Sequence, residues 1–325
     1  MEKIRIIQIG LGGVGCGVVR MLSHTAWADL VAAIDVDLEK VGKEVADVAG
    51  LDKPLGIFVT DDAKAMYKEK KADVAIVSTT NGSLDTIFEE IALPLKEGIH
   101  VITPCMDMSD PYLYNQEIAK EIQKICIANK VCCLGIGSTQ LVARSLLTLA
   151  ETCREIKAIK CLVHADVTKF TLRSKQEEFG IMLSERDYEK AVAVNDLKGR
   201  RALRKEAILI ANHLNLKYDK SNAQYVPIIR DDVVVGVEHI FEVSNNGRVM
   251  VSYTYRFIED PEHQYFHEFN IDATPKVGAR IDFSLDRGLE GTIVPLVNSI
   301  PFTVSAMPGL LQMLDLPPTL KKQAL

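Results

Sequence analysis

The sequence lacks the features that mark a membrane-spanning, secreted or disulfide-bonded protein. No apolar run of about 18 residues, the length that spans a bilayer, escapes interruption by charged or turn-forming residues. The cysteines are odd in number and form no C-x-x-C pair, and a chain of 325 residues needs no cross-links to hold a core. Lys3 leads directly into an apolar segment, which leaves no room for a signal peptide. We therefore expect a cytoplasmic protein without a membrane partner.

Features of nucleic-acid-binding and metal-binding proteins are also missing. The chain has 38 basic and 44 acidic residues, a formal net charge of -6, and no basic run that resembles a nucleic-acid-binding surface. His263 and His267 are four positions apart, but the residues between them lack the glutamate of an H-E-x-x-H motif and do not read as a helix. We expect neither a nucleic-acid partner nor a bound metal.

The N-terminal segment carries the pattern of a dinucleotide-binding turn. Residues 4–9 read as a buried strand, and Gly10, Gly12 and Gly15 follow it at the G-x-G-x-x-G spacing. In this motif the first glycine permits the turn, the second admits a pyrophosphate and the third lets the helix pack on the strand. The helix N-terminus also favours an anion. The residues expected to hold the cofactor here are Gly10, Leu11, Gly12, Gly13, Val14 and Gly15.

An acidic residue at the right distance strengthens this interpretation. Residues 30–35 read as a second buried strand that ends in Asp35, where such folds place the carboxylate that binds the adenosine ribose. A structural glycine turn, with Asp35 capping the next helix, would explain each residue singly but not their order. Because Asp35 would repel a 2′-phosphate, we expect NAD as the cofactor, although Lys40 and Lys43 leave NADP possible.

A polar turn supplies a further part of the expected cofactor site. Residues 72–78 read as an apolar strand, and the turn after it lies where open parallel sheets bind ligands, beyond the carboxyl ends of the strands. The residues expected to line the nucleotide there are Ser78, Thr79, Thr80 and Asn81.

Strand and helix patterns divide the chain into three parts. Residues 1–135 alternate between strands and helices, which predicts an α/β fold with a doubly wound parallel (Rossmann) sheet. Residues 136–288 read as a second, α+β substrate domain that includes a hairpin around Asn245-Asn246-Gly247. Residues 289–325 are expected to return to the first domain, with one helix that Pro301 ends and a short helix after Gly309.

Several short motifs give the chain a family likeness over nearly its whole length. On these residues it resembles the dihydrodipicolinate reductase-like group, and more closely its branch of 2,4-diaminopentanoate dehydrogenases and related native amine dehydrogenases. The residues that carry the resemblance are 34–37, 40–43, 98–102, 135–137, Asp166 with Thr168, 176–180, 297–301 and 307–317. The paired histidines and the lysine-containing catalytic stretch of the lysine-pathway reductase are absent.

The resemblance implies an NAD(P)-dependent oxidative deamination of a small amine or amino acid, or the reverse reductive amination. Related amine dehydrogenases carry a glutamate after the fifth strand that is thought to take the substrate's ammonium proton. Asp107 is the nearest carboxylate here, and it is either this base or a surface aspartate. The relatives' two arginines are similar in position to Lys169 and Phe170, so the substrate is expected to differ.

Other polar residues are candidates for the substrate site. His164 and Asp166 share one face of a predicted strand, where they could relay protons, hold an amino or carboxylate group, or form a structural contact. Five basic residues could grip a carboxylate or form a solvated basic face, the second interpretation being the more ordinary one. They are Arg173, Lys175, Arg200, Arg201 and Arg204.

Two other functions stay open at this point. One is the NAD(P)H-dependent reduction of a cyclic imine or carbonyl, and the other is a nucleotide-binding protein without catalysis. We expect a homodimer or homotetramer, because a strand over residues 233–243 would offer an exposed edge for pairing.

Overall fold

A computed structural model of the chain describes residues 3–79, 83–168, 172, 175–194, 197, 205–263, 265–283, 289–312 and 314, apart from the side chains of residues 138–141. Contacts within the chain divide it into two compact units. The first unit comprises Met1–Gln140 together with Leu289–Leu325, and the second unit comprises Leu141–Gly288.

The described residues form the following elements. The strands are β1 Ile4–Ile9, β2 Ala28–Ile34, β3 Val59–Thr60, β4 Val74–Val77, β5 His100–Thr103, β6 Cys132–Gly135, β7 Glu155–Asp166, β8 Lys220–Arg230, β9 Val233–Asn245, β10 Arg248–Ile258, β11 Tyr265–Thr274, β12 Val277–Asp282 and β13 Gly309–Gln312. The helices are α1 Gly13–Ser23, α2 Val45–Ala49, α3 Ala63–Lys70, α4 Leu84–Lys96, α5 Pro111–Tyr114, α6 Gln116–Asn129, α7 Ser138–Ala150, α8 Glu185–Ala193, α9 Glu206–His213 and α10 Glu290–Ser305. A 3-10 turn spans Met106–Ser109 and a π-helical turn spans Lys175–Phe179.

The first unit is built on a parallel sheet with the strand order β13-β6-β5-β4-β1-β2-β3. Every pairing in it is parallel, which requires crossover connections, and helices supply them. From β3 to β6 the order is that of a dinucleotide-binding fold. The predicted doubly wound sheet is confirmed.

Both faces of this sheet are buried, as the apolar runs of its strands require. Ile7 and Ile9 of β1 point into one core, beneath α4 and α6. Ile6 points into the opposite core, beneath α1 and α10. Alternate residues of one strand therefore hold the two helical layers in place.

The C-terminal segment completes the first unit. Helix α10 packs on α1, and β13 pairs with β6 at the edge of the sheet. The prediction that Pro301 ends the helix is wrong, because α10 continues to Ser305 and its residues Leu296 and Ile300 are fully buried. Tertiary packing outweighs the hydrogen bond that proline removes. The short helix predicted after Gly309 is also wrong, since strand β13 lies there.

The second unit contains a mixed sheet with the strand order β12-β11-β7-β10-β9-β8. Only β7 and β10 run parallel among its described pairs. The predicted hairpin joins β9 to β10, with Asn246 and Gly247 at positive φ as a two-residue type I′ turn requires. This sheet and the parallel sheet of the first unit confirm the predicted fold class. Within the described residues, no helix is long and apolar enough to cross a bilayer.

One expectation about pairing is wrong. The strand over residues 233–243 is part of β9, which lies between β8 and β10 and has no free edge. The edges of the described sheet are β8 and β12. The expected homo-oligomer therefore loses the argument on which it was based, and it stays a prediction.

We predict that truncating a core residue of α10 destabilises the first unit. Leu296→Ala should lower the free energy of unfolding by about 2–5 kcal/mol, because Leu296 is fully buried and a cavity would remain. Val294→Ala on the same helix is the matched control, since Val294 is 38% exposed. Denaturant unfolding should separate the two variants, and equal losses would contradict the packing of α10 described here.

Candidate functional site

The turn between β1 and α1 is built on two close backbone contacts. Gly10 has a φ of +83°, and a Cβ there would lie 2.8 Å from the carbonyl oxygen of Ser78. A Cβ on Gly15 would lie 1.9 Å from the carbonyl oxygen of Gly10. Because neither position has room for a side chain, α1 begins directly against the end of β1.

The N-terminus of α1 is suited to an anion. Gly12 is the N-cap residue, and among the described residues no side chain caps the helix. The first turn holds no acidic residue, and an ideal Cβ on Gly12 meets no heavy atom within 4 Å. The N–H groups at a helix start have no acceptor within the helix, so they can bind a phosphate. The residues present therefore fit the pyrophosphate of a dinucleotide.

Asp35 lies beside this turn, directly after β2. One of its carboxylate oxygens accepts hydrogen bonds from the Leu11 N–H at 2.7 Å and from Lys40 Nζ at 3.1 Å. The other oxygen accepts from the Asp37 N–H at 2.9 Å. Burial alone would raise the pKa of Asp35, but these hydrogen bonds outweigh it and lower the pKa below its ordinary value. The group is thus held as a carboxylate next to the glycine turn.

Lys40 brings a positive charge to the same place. Its Nζ lies 3.1 Å from Asp35 Oδ2 and 3.3 Å from Asp37 Oδ2. Burial alone would lower the pKa of Lys40, but hydrogen bonds and attraction from the two aspartates raise it. The region beside the glycine turn therefore contains a paired lysine as well as two carboxylates.

The side chains of Leu11 and Val14 pack in apolar cores, and Leu11 contributes to this site through its backbone N–H. The Leu11 side chain is 2% exposed and packs in a core with Val19 and Ala33, while its N–H donates to Asp35. Val14 is partly buried and packs against the core beneath α1.

The turn after β4 contacts the glycine turn through Ser78. The Ser78 hydroxyl oxygen lies 3.2 Å from the Gly10 carbonyl oxygen and accepts a hydrogen bond from Gln8 Nε2 at 2.8 Å. The Thr79 hydroxyl donates to Glu90 of α4. Thr80 and Asn81 lie outside the described residues.

Gln8 is a residue that the sequence-based site omits. It is a fully buried polar side chain in β1, a strand that is otherwise almost entirely isoleucine. Its amide lies directly below the glycine turn, since a Cβ on Gly15 would be 2.9 Å from Gln8 Nε2. A polar residue inside an apolar central strand is the pattern by which the sequence could have identified it.

Asp107 lies in the first unit, in the 3-10 turn after β5. Its carboxylate Oδ2 accepts a hydrogen bond at 2.8 Å from the Leu84 N–H, the first residue of α4. The side chain is partly buried, so Asp107 is not a freely exposed surface aspartate. The carboxylate therefore stabilises a helix N-terminus, and this leaves its role as a base a prediction.

His164 and Asp166 lie in the second unit, at the end of β7, and Asp260 contacts both. The Asp260 N–H donates to Asp166 Oδ1 at 2.9 Å, and Asp260 Oδ2 lies 3.5 Å from His164 Nε2. Burial alone would raise the pKa of Asp166, but hydrogen bonds from Thr168 and Asp260 lower it. Burial lowers the pKa of His164, and the Asp260 charge only partly opposes this.

Lys175 lies near the same cluster and does not belong to a solvated basic face. It is 8% exposed and forms an ion pair with Glu259, next to Asp260. It begins the π-helical turn, a rare element that often marks functional sites. Arg173, Arg200, Arg201 and Arg204, like Lys169 and Phe170, lie outside the described residues.

His267 is packed inside the second unit. It is fully buried, and its Nε2 lies 3.0 Å from the Tyr265 hydroxyl. Burial lowers the pKa of His267 to about 4, which keeps it neutral near pH 7. Within the described residues, no group of three or more histidine, cysteine, aspartate or glutamate side chains is arranged to hold a metal ion.

Among the described residues, the structure thus joins Gly10 to Gly15, Asp35 and Ser78 of the predicted cofactor residues around one turn. It places Asp107 elsewhere in that unit, and His164 with Asp166 in the second. A parallel sheet with a glycine turn and an acidic residue after its second strand is the architecture of a dinucleotide-binding domain, the class that includes the nicotinamide-dependent dehydrogenases.

Comparison with known proteins identifies the family within this class. The family model for the dihydrodipicolinate reductase N-terminus matches residues 4–103, and that for the 2,4-diaminopentanoate dehydrogenase C-terminal domain matches residues 141–322. Because the second match covers more than half of the chain, the chain belongs to the 2,4-diaminopentanoate dehydrogenase family. The superfamily and branch predicted from the sequence are confirmed.

Individual proteins are similar to the chain in sequence or in fold. The chain is 27% identical to a 2,4-diaminopentanoate dehydrogenase from Acetoanaerobium sticklandii, over 98% of the chain and 94% of the relative. An amine dehydrogenase from Mycobacterium smegmatis shares the fold, with a TM-score of 0.82, 18% identity, and 98% and 97% of the two chains covered. A dihydrodipicolinate reductase from Paenisporosarcina sp. TG-14 aligns with a TM-score of 0.54, at 14% identity over 95% and 97% of the chains.

We predict that two glycine substitutions separate binding from folding. Gly12→Ala should keep the free energy of unfolding within about 1 kcal/mol, because a Cβ there meets no atom, yet weaken NADH binding at least about ten-fold by obstructing the phosphate. Gly15→Ala should destabilise the protein by about 1–3 kcal/mol, because its Cβ would overlap the Gly10 carbonyl oxygen. Thermal unfolding and NADH fluorescence titration test both, and unchanged NADH affinity in Gly12→Ala would contradict the phosphate site.

We also predict a pH dependence of stability that arises from His267. In the unfolded chain a histidine takes a proton near pH 6.5, but the folded protein resists this until about pH 4. Stability from the neutral imidazole is present above about pH 6.5 and falls by roughly 3 kcal/mol as the pH drops to about 4. His267→Gln should lack this loss, while His263→Gln, which changes an exposed histidine, should retain it. Urea unfolding measures the free energy of unfolding at each pH. If it falls equally with pH in the wild type and in His267→Gln, the loss does not arise from His267.

Proposed function

We propose that this protein is an NAD-dependent amine dehydrogenase that deaminates a small amine or amino acid, or makes it by the reverse reductive amination. The observation that carries the proposal is the glycine turn, whose open helix N-terminus lies next to the Asp35 carboxylate. Membership of the 2,4-diaminopentanoate dehydrogenase family supports an amine as the substrate. The relative's name supports a diamino acid as the first compound to test.

The chemistry requires a cofactor site and a base. A nicotinamide cofactor held at the glycine turn would supply the hydride chemistry, as acceptor of a hydride from the carbon that bears the amine or as donor in the reverse direction. The amine must be neutral for the hydride to leave, so a base has to take one proton from the substrate ammonium. The resulting iminium ion then takes up water at its carbon and releases ammonium, which leaves a carbonyl product. In the reverse direction the same side chain, in its protonated form, returns the proton to the new amine.

We assign the role of base to Asp107. The hydrogen bond from the Leu84 N–H fixes Asp107 Oδ2 and so orients the carboxylate. A fixed carboxylate is better suited to proton transfer than a mobile one, because it loses less freedom in the transition state. In the second unit, His164 and Asp166 are proposed to hold the substrate's amino or carboxylate group or to relay its proton.

The direct test is the dependence of NADH oxidation on ammonia. An amine dehydrogenase consumes NADH with a ketone or keto acid only when ammonia is present, and it forms the amine. A carbonyl or cyclic-imine reductase, the alternative enzyme, needs no ammonia. Oxidation at the same rate without ammonia would favour that alternative. Failure to transfer hydride to any compound in a broad panel would favour a nucleotide-binding protein without catalysis.

We predict that Asp107→Asn lowers kcat by about 10²–10⁴-fold, because the amide cannot take a proton. Asparagine keeps an oxygen that can accept from the Leu84 N–H, so the cap on α4 and the affinity for NADH should change little. Asp62→Ala is the control for loss of a cap, since Asp62 caps α3 through the Ala65 N–H. Steady-state kinetics with full activity in Asp107→Asn would refute the assignment.

We predict that NADH binds more tightly than NADPH, because the Asp35 carboxylate repels a 2′-phosphate. Asp35→Asn should weaken NADH binding by about ten-fold or more and reduce the preference, since a hydrogen bond to a charged group is lost. Lys40→Gln should weaken NADPH binding more than NADH binding, because Lys40 is the cation nearest to Asp35 in the described part of the site. Fluorescence titration measures both constants, and tighter NADPH binding by the wild type would overturn the role of Asp35.

A further inference from the structure

Gln8 occupies a position where a polar side chain needs an explanation. It is fully buried in β1, where it pairs with Ala33 of β2 and Ile76 of β4. Its Oε1 accepts no hydrogen bond from any described residue. Burying an amide costs free energy unless it is hydrogen-bonded, so an apolar residue would be less costly here. The hydrogen bonds that the amide nitrogen of Gln8 donates must therefore explain why a polar residue occupies this buried position.

The amide nitrogen of Gln8 holds the first carbonyl of the glycine turn. Nε2 donates to the Gly10 carbonyl oxygen at 2.8 Å and to Ser78 Oγ at 2.8 Å, and the Ile9 carbonyl oxygen lies at 3.1 Å. The Ser78 hydroxyl lies against the same Gly10 carbonyl at 3.2 Å. The direction of this carbonyl is thus fixed from inside the sheet.

The other end of the same peptide group is fixed by Asp35. The Gly10 carbonyl and the Leu11 N–H belong to one planar unit, in which they point in opposite directions. The Leu11 N–H donates to Asp35 Oδ2 at 2.7 Å. Gln8 and Asp35 therefore hold the two sides of one peptide plane, and rotating that plane would break both hydrogen bonds together.

From this geometry we propose that Gln8 is a positioning residue for the cofactor, which acts through the Gly10–Leu11 peptide on Asp35. By fixing the Gly10 carbonyl, Gln8 orients the Leu11 N–H toward Asp35. The hydrogen bond from this N–H then holds the Asp35 carboxylate in the orientation that binds the ribose. It also holds the carbonyl against which α1 packs at Gly15. The inference rests on the proposed dinucleotide site, but not on the substrate.

The first test substitutes Gln8 without changing its size. Gln8→Met removes the donor, so NADH binding should weaken by about ten-fold and the preference for NADH over NADPH should fall. Ile6→Val is the matched control, because Ile6 lies two positions earlier on β1, is buried in the core beneath α1 and has no side-chain donor that could bind a carbonyl of the turn. It should lower stability while leaving both affinities unchanged. An affinity and preference in Gln8→Met within about two-fold of the wild type, even with a lower melting temperature, would show structural support only and overturn the proposal.

A double variant tests whether the effect passes through Asp35. If Gln8 acts on Asp35, Gln8→Met should weaken NADH binding less in an Asp35→Asn background than in the wild type. If the loss of NADH affinity in the double variant equals the product of the two single-variant losses, Gln8 does not act through Asp35 and the proposal is contradicted.

Amide hydrogen exchange is measured on the unsubstituted protein, so it tests the proposal even if Gln8→Met does not fold. The Leu11 amide should exchange much more slowly than the Gly13 amide, which starts α1. Equal exchange would overturn the proposal. If the wild type binds neither NADH nor NADPH, the proposed function fails instead, and the exchange measurement still decides whether the peptide is held.

Discussion

The contact between the Gly10 carbonyl and the Cα of Gly15 is the constraint on which the first unit depends. It brings α1 against the end of β1 with no side chain between them, and this leaves the N–H groups of the first helical turn facing outward. The Ser78 turn packs on Gly10 from one side, and the Asp35 carboxylate binds the Leu11 N–H from another. The proposed anion site and the proposed ribose carboxylate thus depend on one tight turn in the backbone.

The parts of the fold that the sequence predicted are those specified by local residue patterns. The glycine spacing, the apolar strand before it and Asp35 lie within one strand–helix–strand unit, and Asn246-Gly247 encodes its hairpin turn by itself. In each case, neighbours in sequence are neighbours in the structure, so the pattern was sufficient.

The parts that the sequence did not predict depend on distant partners. Strand β8 is mostly exposed, and its turn to β9 uses Asp231 and Asp232 at positive φ in place of Asn-Gly. Strand β13 exists because β6 offers it an edge. The hydrogen bond from the Asp260 N–H to Asp166 joins the end of β7 to the residues that follow β10. Gln8 was missed because its role depends on Ser78, which lies in a different strand-end turn.

The central claim is that the site moves a hydride to a carbon that carries nitrogen. Incubation with NADH deuterated at the transferring C4 position, ammonia and a panel of small ketones and keto acids measures this directly by mass spectrometry. The expected result is an amine product that carries the deuterium on its amine-bearing carbon. Deuterium in an alcohol formed equally well without ammonia would contradict it, as would the absence of transfer to any compound tested.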